Sequence, residues 1–147
     1  MPNLTGPIHI DLTVTDVERS AKWWEEVMGF IRAYESRHET FRTCSLGHPS
    51  GFAVTVLSHD ATGSDRFDET RVGLDHLAFG VTDRAELDAW VAHFDSLGVT
   101  HTGVIEAHFG DTVVIRDPDN MQLELFLFNP RGEDLMKLFE TDPHRAT

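Results

Sequence analysis

Two stretches of this 147-residue chain decide its fold, because they repeat one another. Residues 9–24 read HIDLTVTDVERSAKWW, and residues 76–91 read HLAFGVTDRAELDAWV. The positions shared at a constant offset of 67 are His9 and His76, Val14 and Val81, Thr15 and Thr82, Asp16 and Asp83, and Trp23 and Trp90. Further along the chain, a second pair of similar segments aligns Pro49 with Pro118 at an offset of 69. Such self-similarity indicates that the chain contains two copies of one module.

Each copy reads as a strand, a helix and three further strands. In the first copy, Ile10, Leu12 and Val14 alternate with polar residues, which is the period of a strand with one buried face. The following Asp16 predicts a helix N-cap, and Gly29 predicts the C-terminal end of that helix. The later strands are predicted near 31–37, 40–46 and 52–58, and near 103–107, 111–116 and 121–128. The sequence therefore predicts an α+β fold of two tandem βαβββ modules.

The repeat also predicts how the chain is organised. We expect one domain over residues 1–147, composed of module one at 6–58, a polar linker at 59–71, module two at 72–129 and a C-terminal tail helix in 130–147. Within the tail, residues 133–140 have the apolar spacing of a short helix that covers an exposed edge.

Composition excludes several classes of partner. The net charge of −13 argues against binding a nucleic-acid backbone or an anionic membrane surface. The sequence has no apolar run of the ~18 residues that a membrane span needs. Cys44 is the only cysteine in the sequence, which excludes an intrachain disulfide and a four-thiolate zinc site. We therefore expect a cytoplasmic protein whose partner is a small molecule.

Three side chains of the predicted strands are candidate metal ligands. His9 and His76 lie on the strand faces away from the helices, and Glu124 lies on the corresponding face of the last strand. If the two sheets combine into one curved mixed sheet around a central cup, a pseudo-two-fold axis brings the histidines face to face. Two imidazoles and one carboxylate are a common ligand set for a divalent metal with open positions.

Simpler interpretations exist for each of these residues. His9 and His76 are also consistent with partly buried strand histidines whose nitrogens bond to backbone groups. Glu124 lies within LELFLF, where burial of an unpaired carboxylate is expensive. Its alternatives to metal binding are a strand edge exposed to water or a pair with Arg42 or Arg116.

The order of these motifs resembles the vicinal oxygen chelate superfamily. The motifs are a strand with His, then Thr-Asp, a helix ending at Gly, a second His strand and RDPDNMQLELF at 116–126. The resemblance covers residues 6–129, and the superfamily includes glyoxalase I, extradiol dioxygenases, fosfomycin resistance enzymes and bleomycin resistance proteins. It implies paired βαβββ modules around a metal, and it carries over as ligands His9, His76 and Glu124.

The resemblance also implies a function. It points to a metal-dependent lyase, isomerase or dioxygenase that uses Fe, Mn, Ni or Zn and a substrate with two neighbouring oxygens. The catalytic candidates are Glu124, His59 and His108. A fourth ligand position of the family holds Thr55 here, when Pro49 is aligned with Pro118. The alternative is a metal-free, ligand-sequestering protein of the bleomycin resistance type, and a homodimer is expected, with the site inside one chain or shared by two.

Overall fold

The computed structural model describes residues 6–140, except the side chain of Glu140. Its elements in chain order are β1 (His9–Thr13), α1 (Val17–Met28), β2 (Ile31–Arg37), β3 (Phe41–Gly47), β4 (Ala53–His59), β5 (Leu77–Gly80), α2 (Arg84–Leu97), β6 (Ile105–Glu106), β7 (Gly110–Arg116), β8 (Gln122–Phe128) and α3 (Pro130–Glu140). The predicted α+β class with two tandem βαβββ modules is confirmed.

The two modules form separate four-stranded sheets with the same topology. The strand orders are β1-β4-β3-β2 and β5-β8-β7-β6, and the opening strand is parallel to the last strand in both. In the first sheet Asp11 pairs with Thr55, and in the second Ala78 pairs with Glu124. The strands β4 and β8 also share one pattern of alternating burial. Thr55 and Glu124 therefore hold equivalent positions in the two modules.

The main helices begin and end where the sequence predicts. The Asp16 carboxylate accepts a hydrogen bond from the Arg19 backbone N–H at 3.0 Å, and Gly29 ends α1 with φ 70°. In α2, Asp83 caps the N-terminus in the same way, and the Glu86 carboxylate reaches back to the backbone N–H of Thr82 at 2.8 Å. Each helix therefore has N–H groups of its first turn satisfied by a local carboxylate.

The chain forms two compact units. The N-terminal unit comprises residues 6–72 with Arg116–Met121, and the C-terminal unit comprises Gly73–Ile115 with residues 122–140. The fully buried core of the N-terminal unit includes Trp24, Leu46, Val54 and Val56. The core of the C-terminal unit includes Leu87, Phe94, Val113 and Leu123. Each sheet thus packs the expected apolar face against its own helix.

The Asp-Pro-Asp-Asn turn of module two is built into the N-terminal unit. The buried carboxylate of Asp119 accepts from the Thr15 backbone N–H at 2.7 Å, from the Thr15 hydroxyl at 2.5 Å and from the Arg19 guanidinium at 2.6 Å. The guanidinium of Arg116 pairs with the Glu69 carboxylate at 2.6 Å, which lowers the pKa of Glu69 to about 2. This part of the family-like motif therefore has a structural role in this chain.

Two elements differ from their predicted extents. β6 covers only Ile105–Glu106, because Gly103 turns the chain with φ 71° just before it. α3 begins at Pro130, ahead of the predicted start at 133, because the Asn129 side chain accepts from the backbone N–H groups of Arg131 and Gly132. Residues 141–147 of the predicted tail helix lie outside the described part of the chain. Across residues 6–140, no helix has both the length and the apolar character that crossing a membrane requires.

Candidate functional site

His76 and Glu124 meet on the open face of the second sheet. Glu124 lies in the middle of β8 beside Ala78 of β5, and His76 immediately precedes β5. Because side chains alternate along a strand, His76 shares the face of Ala78 and therefore of Glu124. The Nε2 atom of His76 lies 3.2 Å from the Oε2 atom of Glu124. The structure thus brings together two of the three predicted ligands.

Each of these two side chains also has a polar contact with a second residue. The Nδ1 atom of His76 lies 2.6 Å from a carboxylate oxygen of Asp75, and the Thr112 hydroxyl donates to Oε1 of Glu124 at 2.5 Å. An Nδ1–H that donates to a carboxylate leaves the Nε2 lone pair of a neutral imidazole facing outward. That lone pair then points at Oε2 of Glu124. Such an arrangement is repulsive unless a proton or a cation lies between the two atoms.

The spacing of the two donor atoms fits a shared metal ion. Bonds of about 2.0–2.2 Å from one cation, meeting at an octahedral or tetrahedral angle, place two ligand atoms about 3.0–3.5 Å apart. The observed 3.2 Å between Nε2 of His76 and Oε2 of Glu124 falls within this range. A nitrogen and a carboxylate oxygen also suit Fe, Mn, Ni and Zn alike.

The environment of Glu124 excludes the simpler interpretations of this residue. Its side chain is only 16% exposed, so it is not a carboxylate at a solvent-facing edge. Arg116 pairs with Glu69, and Arg42 lies nearest to the carboxylates of Glu18 and Glu35. Within the described residues, the contacts of the Glu124 carboxylate are therefore polar groups of its own unit.

His9, the third predicted ligand, lies in the N-terminal unit. It is the first residue of β1, its side chain is 62% exposed, and its Nε2 atom is 3.9 Å from a carboxylate oxygen of Asp11. Among residues 6–140, no group of three or more His, Cys, Asp or Glu side chains is placed to hold a metal ion. Participation of His9 in a metal site therefore stays a prediction.

Comparison with known proteins identifies the family. The model of the Glyoxalase/Bleomycin resistance protein/Dioxygenase superfamily matches residues 6–125. The chain belongs to this superfamily. The resemblance to vicinal oxygen chelate proteins is thereby confirmed. No curated protein matches the chain.

Solved structures of the superfamily share the fold. A glyoxylase/bleomycin resistance protein/dioxygenase domain from Frankia sp. EAN1pec is 35% identical, with a TM-score of 0.81 over 86% of this chain and 100% of that chain. A glyoxalase family protein from Enterococcus faecalis is 20% identical, with a TM-score of 0.71 over 83% and 97%. The fosfomycin resistance protein FosX from Listeria monocytogenes is 18% identical, with a TM-score of 0.70 over 91% and 99%.

The two additional catalytic candidates lie at strand ends. β1 places His9 beside Ala53, and His59 follows Ala53 by six residues on β4, or about 20 Å along the strand. The backbone carbonyl of His108 accepts from the side chain of Asn129, which lies just beyond the end of β8. Catalytic roles for both histidines stay predictions.

Two residues that support the pair were missed by sequence reasoning. Asp75 adjoins His76 in the chain, and an acidic residue next to a candidate ligand is a signal that could have identified it. Thr112 is twelve residues away from Glu124 and comes close only through the pairing of β7 with β8. No feature of the strand pattern distinguishes it from other polar residues of β7.

Proposed function

We propose that this superfamily member is a divalent-metal-dependent enzyme of the glyoxalase/dioxygenase type. Its substrate is a small molecule that chelates the metal through two neighbouring oxygens. The protein ligands are His9, His76 and Glu124, and the metal is Fe, Mn, Ni or Zn. The observation that carries the proposal is the approach of Nε2 of His76 to Oε2 of Glu124, each fixed by a second polar residue.

A bound metal would supply Lewis-acid stabilisation of negative charge on substrate oxygens, or a site for O₂ if it is Fe(II). The residues of the chain prepare the site. Asp75 sets the tautomer and orientation of the His76 imidazole, and Thr112 holds Oε1 of Glu124 so that Oε2 remains directed outward. Ala78 leaves space beside the pair, and Phe126 provides an apolar wall on the same face.

One solved structure supports this substrate class. A FosX variant from Listeria monocytogenes, with a TM-score of 0.66 to this chain, was solved in complex with Mn(II) and 1S,2S-dihydroxypropylphosphonic acid. That molecule has hydroxyl groups on adjacent carbons. The same fold therefore accommodates both a divalent metal and a ligand with neighbouring oxygens.

Metal binding tests the proposal directly. Protein purified without a chelating tag is analysed for metal and titrated with Mn²⁺, Fe²⁺, Ni²⁺ and Zn²⁺ by calorimetry. Glu124→Gln and the matched control Glu106→Gln, at an exposed residue of β6, are treated in the same way. We expect one ion per chain in the wild type and the control, and at least a tenfold weaker affinity in Glu124→Gln. Equal affinity in all three proteins would refute the site. A wild type that takes up none of the four metals would support the ligand-sequestering alternative.

The contribution of Asp75 is tested separately. Asp75→Asn removes the carboxylate that accepts from Nδ1 of His76 while keeping the size of the side chain. Loss of such a partner typically weakens metal affinity about 10- to 100-fold. The Asp75→Glu variant should restore part of the affinity. An unchanged affinity in Asp75→Asn would remove this residue from the site.

We further propose that the enzyme is a homodimer. A complementation experiment tests whether His9 and Glu124 of one site come from the same chain or from two chains. A His9→Ala chain and a Glu124→Gln chain each have one lesion. If two chains share the site, mixing the variants restores metal binding in heterodimers, because one of the two sites then has every ligand intact. If one chain forms the site, mixing restores nothing. Sedimentation at several protein concentrations tests the dimer itself.

A further inference from the structure

The N-terminal unit contains a cleft that the proposed metal site does not use. It has a volume of about 270 Å³ and lies where the β2–β3 hairpin, the end of β4 and the start of α1 meet. Its lining includes Arg37, Phe41, Arg42, Ser58, His59 and Asp60. The register of β1 and β4 separates it from His9 by about six residues of strand, or about 20 Å.

Two arginines face each other at this cleft. Arg37 on β2 and Arg42 on β3 are direct cross-strand partners. Like charges at directly opposed positions destabilise a sheet, since their Cα atoms are only about 4.5–5.5 Å apart. The ion pairs of Arg42 with Glu18 and Glu35 reduce this repulsion, and a bound anion would reduce it further.

Neighbouring carboxylates form only long ion pairs with Arg42 and leave its N–H groups without a short hydrogen bond. The nearest carboxylate oxygens to Arg42 belong to Glu18 at 3.7 Å and Glu35 at 3.5 Å, both too far for a good hydrogen bond. Those two carboxylates bond instead to Arg32, at 3.0 and 2.7 Å. Within residues 6–140, Arg37 has no carboxylate within ion-pair distance. Both side chains therefore retain donors for a ligand.

The remaining walls combine rings, a hydroxyl and two acids. His38 stacks on Phe41 with ring centroids 4.2 Å apart, and His59 approaches the same ring at 5.6 Å. Ser58 lies on β4 directly opposite Arg42. Of the two carboxylates, Asp16 is engaged as the N-cap of α1. The Asp60 carboxylate is therefore the group that would compete with a bound anion for the two arginine side chains.

We propose that this cleft binds the phosphoryl group of a small molecule between Arg37 and Arg42. The oxygens of a phosphoryl group can accept N–H donors from both guanidiniums and the Ser58 hydroxyl at the same time. A carboxylate has only two oxygens and offers fewer acceptors for the same donors. The same chemistry is offered by inorganic phosphate and by a phosphate monoester, and the volume of the cleft allows a substituent on the phosphoryl group.

Calorimetric titration with inorganic phosphate and with phenyl phosphate tests this inference. The wild type should bind one phosphoryl group per chain, and the affinity should fall with added KCl because the interaction is ionic. Arg37→Gln and Arg42→Gln should each weaken binding about tenfold or more. The control Arg71→Gln, an exposed arginine outside the cleft, should bind as the wild type does.

The two probes and two further variants define the outcome. Tighter binding of phenyl phosphate indicates a monoester as the ligand, and equal binding indicates that the phosphoryl group alone is recognised. Asp60→Asn should strengthen binding by removing the competing charge. Urea denaturation should show that the arginine variants remain folded, since both side chains lie on the surface of the hairpin. Absence of saturable binding for both probes, or undiminished binding in the Arg37→Gln/Arg42→Gln double variant, would overturn the proposal.

Discussion

Replacing Asp117 by Asn is expected to stabilise the protein at neutral pH but not at acidic pH. Asp117 opens the turn that precedes β8 and is 4% exposed. Its Oδ1 atom accepts from the backbone N–H groups of Asp119 at 2.9 Å and Met121 at 2.8 Å. Burial of the charge is the largest influence on this group and raises the pKa of Asp117 from 3.8 to about 6, against the opposing effect of the two hydrogen bonds.

The expected size of the effect follows from this shift. Each pKa unit corresponds to about 1.4 kcal/mol, so a rise from 3.8 to about 6 makes the ionised form about 3 kcal/mol less favourable in the folded protein than in the unfolded chain. Well below pH 3.8 both states are protonated and the penalty is absent. Between pH 3.8 and about 6 the unfolded chain has lost the proton that the folded protein still binds, so stability decreases as the pH rises, and above about pH 6 the full penalty applies. Asn retains an oxygen acceptor and has no charge.

Urea denaturation of the wild type and Asp117→Asn between about pH 3 and pH 7.5 measures the difference. The free energies of unfolding should nearly coincide at the acidic end and differ by about 2–3 kcal/mol in favour of the variant at pH 7. Asp134→Asn, whose side chain is 75% exposed, provides the matched control with no such pH dependence. A difference that does not vary with pH, or a variant less stable at pH 7, would show that Asp117 is not destabilised by burial of its charge.

Three further substitutions are expected to have distinct effects. Asp119→Ala should lower the free energy of unfolding by about 3 kcal/mol in urea denaturation, because it removes three hydrogen bonds to a buried carboxylate. Gly132→Ala should destabilise by about 1–3 kcal/mol despite the helix preference of Ala, because its Cβ would overlap the Phe109 carbonyl oxygen; thermal unfolding measures this. Thr112→Val should weaken Mn²⁺ binding about tenfold with little change in fold by circular dichroism, because Oε1 of Glu124 loses its donor.

The sequence predicted most of the fold because the fold depends on local patterns that occur twice. The alternation around Ile10 and the cap at Asp16 are local signals, and the structure confirms them. The attachment of the Asp-Pro-Asp-Asn turn to the N-terminal unit was not predicted. It depends on the contact of Asp119 with Thr15, more than one hundred residues earlier, which no local pattern encodes.

The candidate site could be predicted only in part for the same reason. His76 and Glu124 were identifiable because one belongs to the repeat and the other is a charged residue in an apolar strand. Their supporting residue Thr112 depends on the pairing of β7 with β8. The cleft between Arg37 and Arg42 depends on the register of the β2–β3 hairpin, which the sequence pattern leaves undetermined.

The two modules also explain why a carboxylate stands at position 124 but not at position 55. In the first sheet the parallel pair is Asp11 with Thr55, and in the second it is Ala78 with Glu124. Each pair therefore contains one acid and one smaller residue without charge. Neighbouring strands lie about 4.8 Å apart, so an acid at both positions of one pair would place two carboxylates in repulsive proximity. Asp11 thus disfavours an acid at position 55 of the first module, whereas Ala78 leaves space for the Glu124 side chain beside His76.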